Sequence, residues 1–300
     1  MPRSPSFEAR RYAGGAGWLV VPGLLWLLAL YLLPMLGLVP LSLSEPVSRF
    51  GLETVFRGRV DVYGEVLRQY GPLLLRSFGF AAVATGLGLL LAYPLAAWIR
   101  FRGGRWRPLL IGLVVLPSLS SHLVRSIAWS SLLADRGPVL ALLQRLALVE
   151  PLNGLGILHD GRLLATPTAV VLGLTTNLLP FLVLPLVVAM ERIDARLLEA
   201  AADLHAGPLR RFSQVVWPLS RPGLAAGLLL SLIPAAGDVV NPLFLGGPDQ
   251  RMIANAIDNL LLVQLQAPRA AALTLVLMAL SSLLVGVQLR RGGLRELPLP

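Results

Sequence analysis

The chain has no cysteine and no lysine among its 300 residues. Without cysteine there are no disulfides and no thiolate chemistry. Without lysine there is no Walker A lysine, so the chain should not bind ATP through a phosphate-cradling loop of its own. All 26 basic residues are arginine. Histidine is scarce as well, three in all, and neither Gly-x-Ser-x-Gly nor His-Glu-x-x-His occurs. The constellations that run hydrolysis are therefore missing, and a paired-carboxylate site using Asp238 and Asp258 is the one enzymatic arrangement left to consider. No histidine comes with other ligands at metal spacing. Charged residues make up only 14% of the chain, against 55% hydrophobic, and the mean hydropathy is +0.72. That is far from the composition of a soluble domain.

What the chain has instead is long apolar runs. A membrane helix needs roughly 20 mostly apolar residues, and six segments qualify, at about 18–41, 77–99, 108–130, 163–190, 222–240 and 270–289. Three arginines (Arg3, Arg10, Arg11) precede the first run, as in a signal peptide. The run is too long for a signal sequence and no Ala-x-Ala cleavage pattern follows, so a retained helix is expected. Pro180 and Pro185 are expected to kink the fourth run, and Pro234 makes the fifth the weakest. The expectation is an all-α, six-span membrane protein with one transmembrane domain over 18–289, an N-terminal segment 1–17 and a tail 290–300.

Arginine counts orient it. The N-terminus, second loop, fourth loop and C-terminus carry 15 of the 26 arginines on one side, and the short stretch "RFRGGRWR" (100–107) alone carries four. Both termini and residues 191–221 are expected to be cytoplasmic. The arginines sit beside apolar spans, so the net charge of +10 points to the lipid bilayer and not to nucleic acid. On the opposite side, 135–150 has helical spacing and should lie at the interface, and Asp160-Gly161 should make a turn. Arg125 should snorkel or pair with an acid, while His122 and His159 read as interfacial residues. "GLAAG" (223–227) permits a close helix contact.

The fourth loop is unusual. Ile193, Leu197, Ala201 and Leu204 define one face of an amphipathic helix, which Gly207-Pro208 should end. A second short helix should reach Trp217, where Pro218 and Pro222 redirect the chain. From the residues alone this is either a connector resting on anionic lipid or a docking knob for a partner.

The stretch "EAAADLHAGPLRRFSQVVWPLSRPG" (199–223) resembles the Glu-Ala-Ala loop of ABC importer membrane subunits. Glu199, Ala200, Ala201, Val215 and Pro218 match the pattern, while His205 stands where glycine is expected and Trp217 where leucine is expected. Gly207 would then supply the turn. "LPFLVLPL" (179–186), "IPAAGDVVNPLFLGG" (233–247) and "MIANAI" (252–257) resemble the spermidine/putrescine branch of those permeases, and the likeness covers roughly 70–290. It implies the type I importer fold, alternating access and no enzymatic activity in this chain. It also implies a dimeric ATPase that holds ATP and magnesium, a second and different permease subunit, and a periplasmic solute-binding protein, in the bacterial inner membrane. It places ATPase coupling on Glu199, Ala200, Ala201, Asp203, His205, Gly207, Arg210, Arg211 and Pro218. An acid in the outer part of a span is a functional candidate, and Asp238 is the best here, with Asn241 and Asp258 behind it. A polyamine is the leading solute. Importers for organophosphonates, thiamine and iron share much of the pattern, and a secondary transporter would instead need an inverted repeat of broken helices, which is not seen.

Overall fold

The computed structural model describes residues 17–48 and 53–291, so the N-terminal segment and nearly all of the C-terminal tail lie outside the described residues. The chain divides into two compact units, one of residues up to Leu67 with Leu260–Val276, the other of Arg68–Asn259 with the chain from Leu277. Among the described residues five helices are long and apolar enough to cross a membrane, or six if one bent pair counts as a single span.

In the first unit, helix α1 (Gly17–Ser42) has 26 residues, about 39 Å at 1.5 Å per residue and enough for the hydrocarbon core. None of its apolar window is buried by protein, as suits a helix solvated by lipid. A short hairpin follows, β1 (Ser44–Pro46) against β2 (Thr54–Phe56), antiparallel with Glu45 opposite Val55. Arg59 ties it down: its guanidinium reaches Glu45 at 3.1 Å and Glu65 at 3.1 Å and also pairs with Asp61. Arg269 donates to the other oxygen of Glu65 at 2.9 Å. Helix α2 (Asp61–Arg102) begins here, 16 residues before the apolar run at 77. Its first turns carry charge on one side while burying Val62 and Val66 on the other, so amphipathic helix simply continues into the span.

In the second unit the centre is α7 (Pro167–Glu191), capped by Thr166, whose hydroxyl accepts from Ala169 N at 3.2 Å. It is buried on most sides, with Leu174, Leu182, Leu186 and Met190 at 1% exposure or less. Small residues of α2 (Ala81, Ala84, Ala92, Ala96) are fully buried, and Thr175 reaches across to the carbonyl of Ala84 at 3.3 Å. Helix α9 (Pro208–Ala236) packs on α7 through Gly223 and Gly227. A Cβ on Gly223 would lie 2.4 Å from that of Ala189 and 2.5 Å from the carbonyl oxygen of Pro185, so the backbones meet there. This is the close contact that "GLAAG" permits.

Two expectations are corrected. The third span is not one helix. Helix α3 (Arg107–Val115) runs through a 3-10 turn to Leu119, the chain extends over Ser120 and Ser121, and α4 (His122–Leu133) leaves in a new direction, a 93° bend. The break follows Pro117 and two serines, and Arg125 Nη1 braces it by donating to the Pro117 carbonyl. Arg125 thus finds a carbonyl rather than an acid. The second correction is that Pro218 and Pro222 do not redirect the chain. α9 is continuous from Pro208, with one π-turn over Phe212–Val216 that absorbs the backbone donors proline lacks.

In the segment read as an interfacial helix lies α5 (Pro138–Arg145), and α6 (Val149–Gly154) starts at its end, the two separated at Ala147, whose φ is +53°. Asp160 and Gly161, both at positive φ, make the turn that joins His159 to Arg162. Short helices α10 (Val240–Phe244) and α11 (Ile253–Asp258) precede α12 (Ala267–Arg291).

Candidate functional site

Two places hold the residues singled out from the sequence, the loop after α7 and a polar cluster where α4, α7 and α10 meet.

The loop is clamped at its start. Arg100 donates from Nε to the Met190 carbonyl, which also accepts from the Ile193 amide, and from Nη2 to the Ile193 carbonyl, each at 3.1 Å. Arg107 forms an ion pair with Glu191. Two of the four arginines of 100–107 therefore hold the loop. Asp194 caps α8 (Ala195–Asp203) by accepting from Arg196 N at 3.0 Å.

The end of α8 corrects the expectation about Gly207. The chain reverses at His205, which takes φ +58°. The amide of Ala206 bonds to the Ala201 carbonyl at 3.0 Å and that of His205 to Ala202 at 2.9 Å. That pair of bonds is a Schellman cap, and His205 occupies its left-handed position, where glycine is usual. Gly207, at φ −64°, supplies no left-handed turn and instead precedes Pro208 at the start of α9. Arg211 Nε then donates to the Ala206 carbonyl at 2.7 Å, fixing the angle between the two helices. Trp217 also finds an explanation. Its ring packs 5.7 Å from Tyr93 and 6.4 Å from Phe212, and the Tyr93 hydroxyl bonds Ser220. The aromatic group ties the start of α9 to α2.

Glu199, Ala200, Asp203, His205, Gly207 and Arg210 are exposed, and Ala201, Arg211 and Pro218 are half-buried. The apolar face read from the sequence is buried only at Ile193. Leu197 is exposed, and Leu204 and Leu209 are each 81% exposed. The loop thus carries two leucines and two acids, Glu199 and Asp203, that the described residues leave uncovered.

The polar cluster is built around Asp238, which follows the end of α9. Its Oδ1 accepts from the amides of Val240 at 2.8 Å and Asn241 at 3.3 Å, capping α10, and Oδ2 accepts from Asn241 Nδ2. Asn241, fully buried, takes Ser126 Oγ on its Oδ1 at 3.1 Å and Asn177 Nδ2 at 3.3 Å. His122, the first residue after the break, presents Nε2 to Asn177 Nδ2 at 2.9 Å and Asn241 Nδ2 at 3.2 Å, and lies 3.6 Å from Asp238 Oδ2. Amide nitrogens can only donate, so Nε2 accepts and the ring is neutral with its proton on Nδ1. Gly173 makes the room, since a Cβ there would stand 2.7 Å from Asn241 Oδ1.

Asp238 and Asn241 are therefore together, and Asp258 is apart, exposed at the end of α11. His122, Ser126 and Asn177 were missed. Asn177 carried a signal, an amide inside an apolar span, while His122 reaches the cluster only because the third span breaks beside it.

Comparison with known proteins follows from these features. Residues 66–291 match the family described as binding-protein-dependent transport system inner membrane component. The spermidine/putrescine transport system permease protein PotB of Haemophilus influenzae is 35% identical over 90% of this chain and 91% of its own length. That of Escherichia coli is 33% identical over 90% and 94%. Among solved structures, a bacterial ABC transporter involved in the import of the acidic polysaccharide alginate matches with a TM-score of 0.66 at 17% identity, covering 97% of this chain and 100% of that one. At that identity the likeness is one of fold.

Proposed function

The chain belongs to the family of binding-protein-dependent transport system inner membrane components, and from that premise we propose that it is one of two permease subunits of an ATP-binding-cassette importer of polyamines. It is a transport subunit of the inner membrane. In this reading both termini and the loop 191–221 face the cytoplasm, a dimeric ATPase docks on that loop, a different permease subunit completes the passage, and a periplasmic protein delivers the solute. ATP and magnesium belong to the ATPase chain.

The observation that carries the coupling role is the uncovered loop. Leu204 and Leu209 are almost fully exposed on a helix pair whose geometry is fixed by the His205 cap and Arg211. Two leucines held rigidly in the open mark a protein interface, and Glu199 and Asp203 beside them add charge that a partner must match. Closure of the ATPase pair would push α8, and the Tyr93–Phe212–Trp217 contact would pass that movement to α2 and α9.

Support for the solute is of two kinds. The curated relatives at 33–35% identity over nine-tenths of the chain are named for spermidine and putrescine. The polar cluster adds a chemical reason, a buried carboxylate suited to a cation.

The test is to co-express the chain with the ATPase, second permease and binding protein encoded beside it and to reconstitute them in liposomes. ATPase activity should rise when the binding protein carries putrescine or spermidine, and labelled amine should accumulate. An unstimulated ATPase, or absence of uptake of either amine, would contradict the reading.

A further inference from the structure

Asp238 has a charge problem. Its side chain is 7% exposed, and among the described residues no arginine pairs with it. The nearest one along α4, Arg125, is directed to the Pro117 carbonyl. The group at ion-pair distance is His122, which is neutral in the arrangement described. Backbone amides and the Asn241 amide solvate the carboxylate but leave its charge uncompensated. A buried carboxylate in that condition attracts a cation.

A second observation points the same way. Asn177 is 8% exposed and lies in the cluster through its Nδ2, yet its Oδ1 has no donor. An unpartnered buried acceptor costs free energy that a donor would recover. The cluster is thus short of both a positive charge and a hydrogen-bond donor. An alkylammonium group supplies the two together. The way in is past His122, whose side chain is 41% exposed while those it covers are not.

We propose that the His122–Asn177–Asp238 cluster is a cation-recognition step of the solute path, where an ammonium group of the solute is received by the Asp238 carboxylate and Asn177 Oδ1 while His122, neutral, moves aside as a lid. The proposal rests on the polyamine reading above and adds to it a site and a specificity residue. The role of His122 follows from charge. A permanent cation at position 122 would satisfy Asp238 itself and compete with the solute, whereas a neutral side chain of similar reach would not. Ser126 and Gly173 are positioning residues, holding Asn241 and leaving it space.

The experiment uses the reconstituted four-component transporter and reads labelled putrescine imported per ATP hydrolysed, together with the binding-protein-stimulated ATPase rate. His122→Arg should lower the import ratio at least about tenfold with ATPase stimulation retained, and His122→Gln should stay within about threefold of the unmodified complex. Asp238→Asn keeps the size of the side chain and its capping oxygen, and should lower the ratio at least about tenfold. Unchanged import in His122→Arg or in Asp238→Asn overturns the proposal. Equal losses in His122→Arg and His122→Gln, or import and ATPase falling together, would make the cluster a structural pin and overturn it too. Absence of amine import by the unmodified complex removes the polyamine reading itself, a result distinct from these.

Discussion

At the residue scale, His205 shows how a departure from a motif is accommodated. The Schellman bonds at the end of α8 require one residue in the left-handed region, and the chain places a histidine there at φ +58°. Histidine visits that region more than most residues, but it still pays a steric cost that glycine avoids. His205→Gly should therefore leave the loop intact and raise stability slightly, by about 0.5 kcal/mol after the greater flexibility of glycine in the unfolded chain is deducted. Thermal unfolding of the purified complex would record this as a small rise in midpoint with coupled uptake unchanged. A lower midpoint would mean that the imidazole itself makes a stabilising contact. The matching positions of this motif were legible in the sequence, and so was the odd residue. What could not be read was that the odd residue takes the strained conformation, because Gly207 two residues later offered an easier turn. The same limit applies to the polar cluster. Asp238 stood out as an acid after Pro234 and Gly237, whereas His122 and Ser126 had no local mark and are brought to it by tertiary structure.

At the scale of elements, apolar composition found the spans and misjudged their continuity. The run from Pro108 past Val124 reads as one span although its hydropathy dips over 117–122, where Pro117 and two serines free to extend break the helix. Conversely, Pro218 and Pro222 looked like stops and are not. The π-turn over Phe212–Val216 comes just before Pro218, and the helix runs on through both prolines to Ala236. Helix contacts follow small residues. Gly223 and Gly227 are alike in sequence but differ in surroundings. A Cβ at 223 would strike Ala189 and the Pro185 carbonyl, while at 227 the nearest atom is the Leu182 Cα at 3.5 Å, an ordinary contact. Gly223→Ala is expected to destabilise the α7–α9 pair by about 1–3 kcal/mol, the usual penalty for overpacking. Gly227→Ala should be nearly neutral, within about 0.5 kcal/mol. Unfolding midpoints of the two variants side by side would check this, and equal effects would show that α9 sits differently on α7.

At the scale of the molecule, composition alone pointed to a membrane protein, and the missing lysine is the reason for expecting any ATP work to come from another chain. The hairpin at 44–56 left no trace in hydropathy, because the pairs of Arg59 with Glu45, Asp61 and Glu65 tie it down, not an apolar run. What joins the scales is the loop, whose bonds are local, whose leucines are exposed, and whose proposed role is to dock a partner. Absence of cysteine makes that claim directly testable, since a single thiol can be placed at will. Leu204→Cys, labelled with a benzophenone maleimide in the assembled transporter and illuminated, should form an adduct with the ATPase chain. Cysteine at the exposed Arg136, on the loop read as lying on the other side of the membrane, should not. The same assembled complex giving a Leu204→Cys adduct with lipid alone, or with no chain at all, would contradict the account.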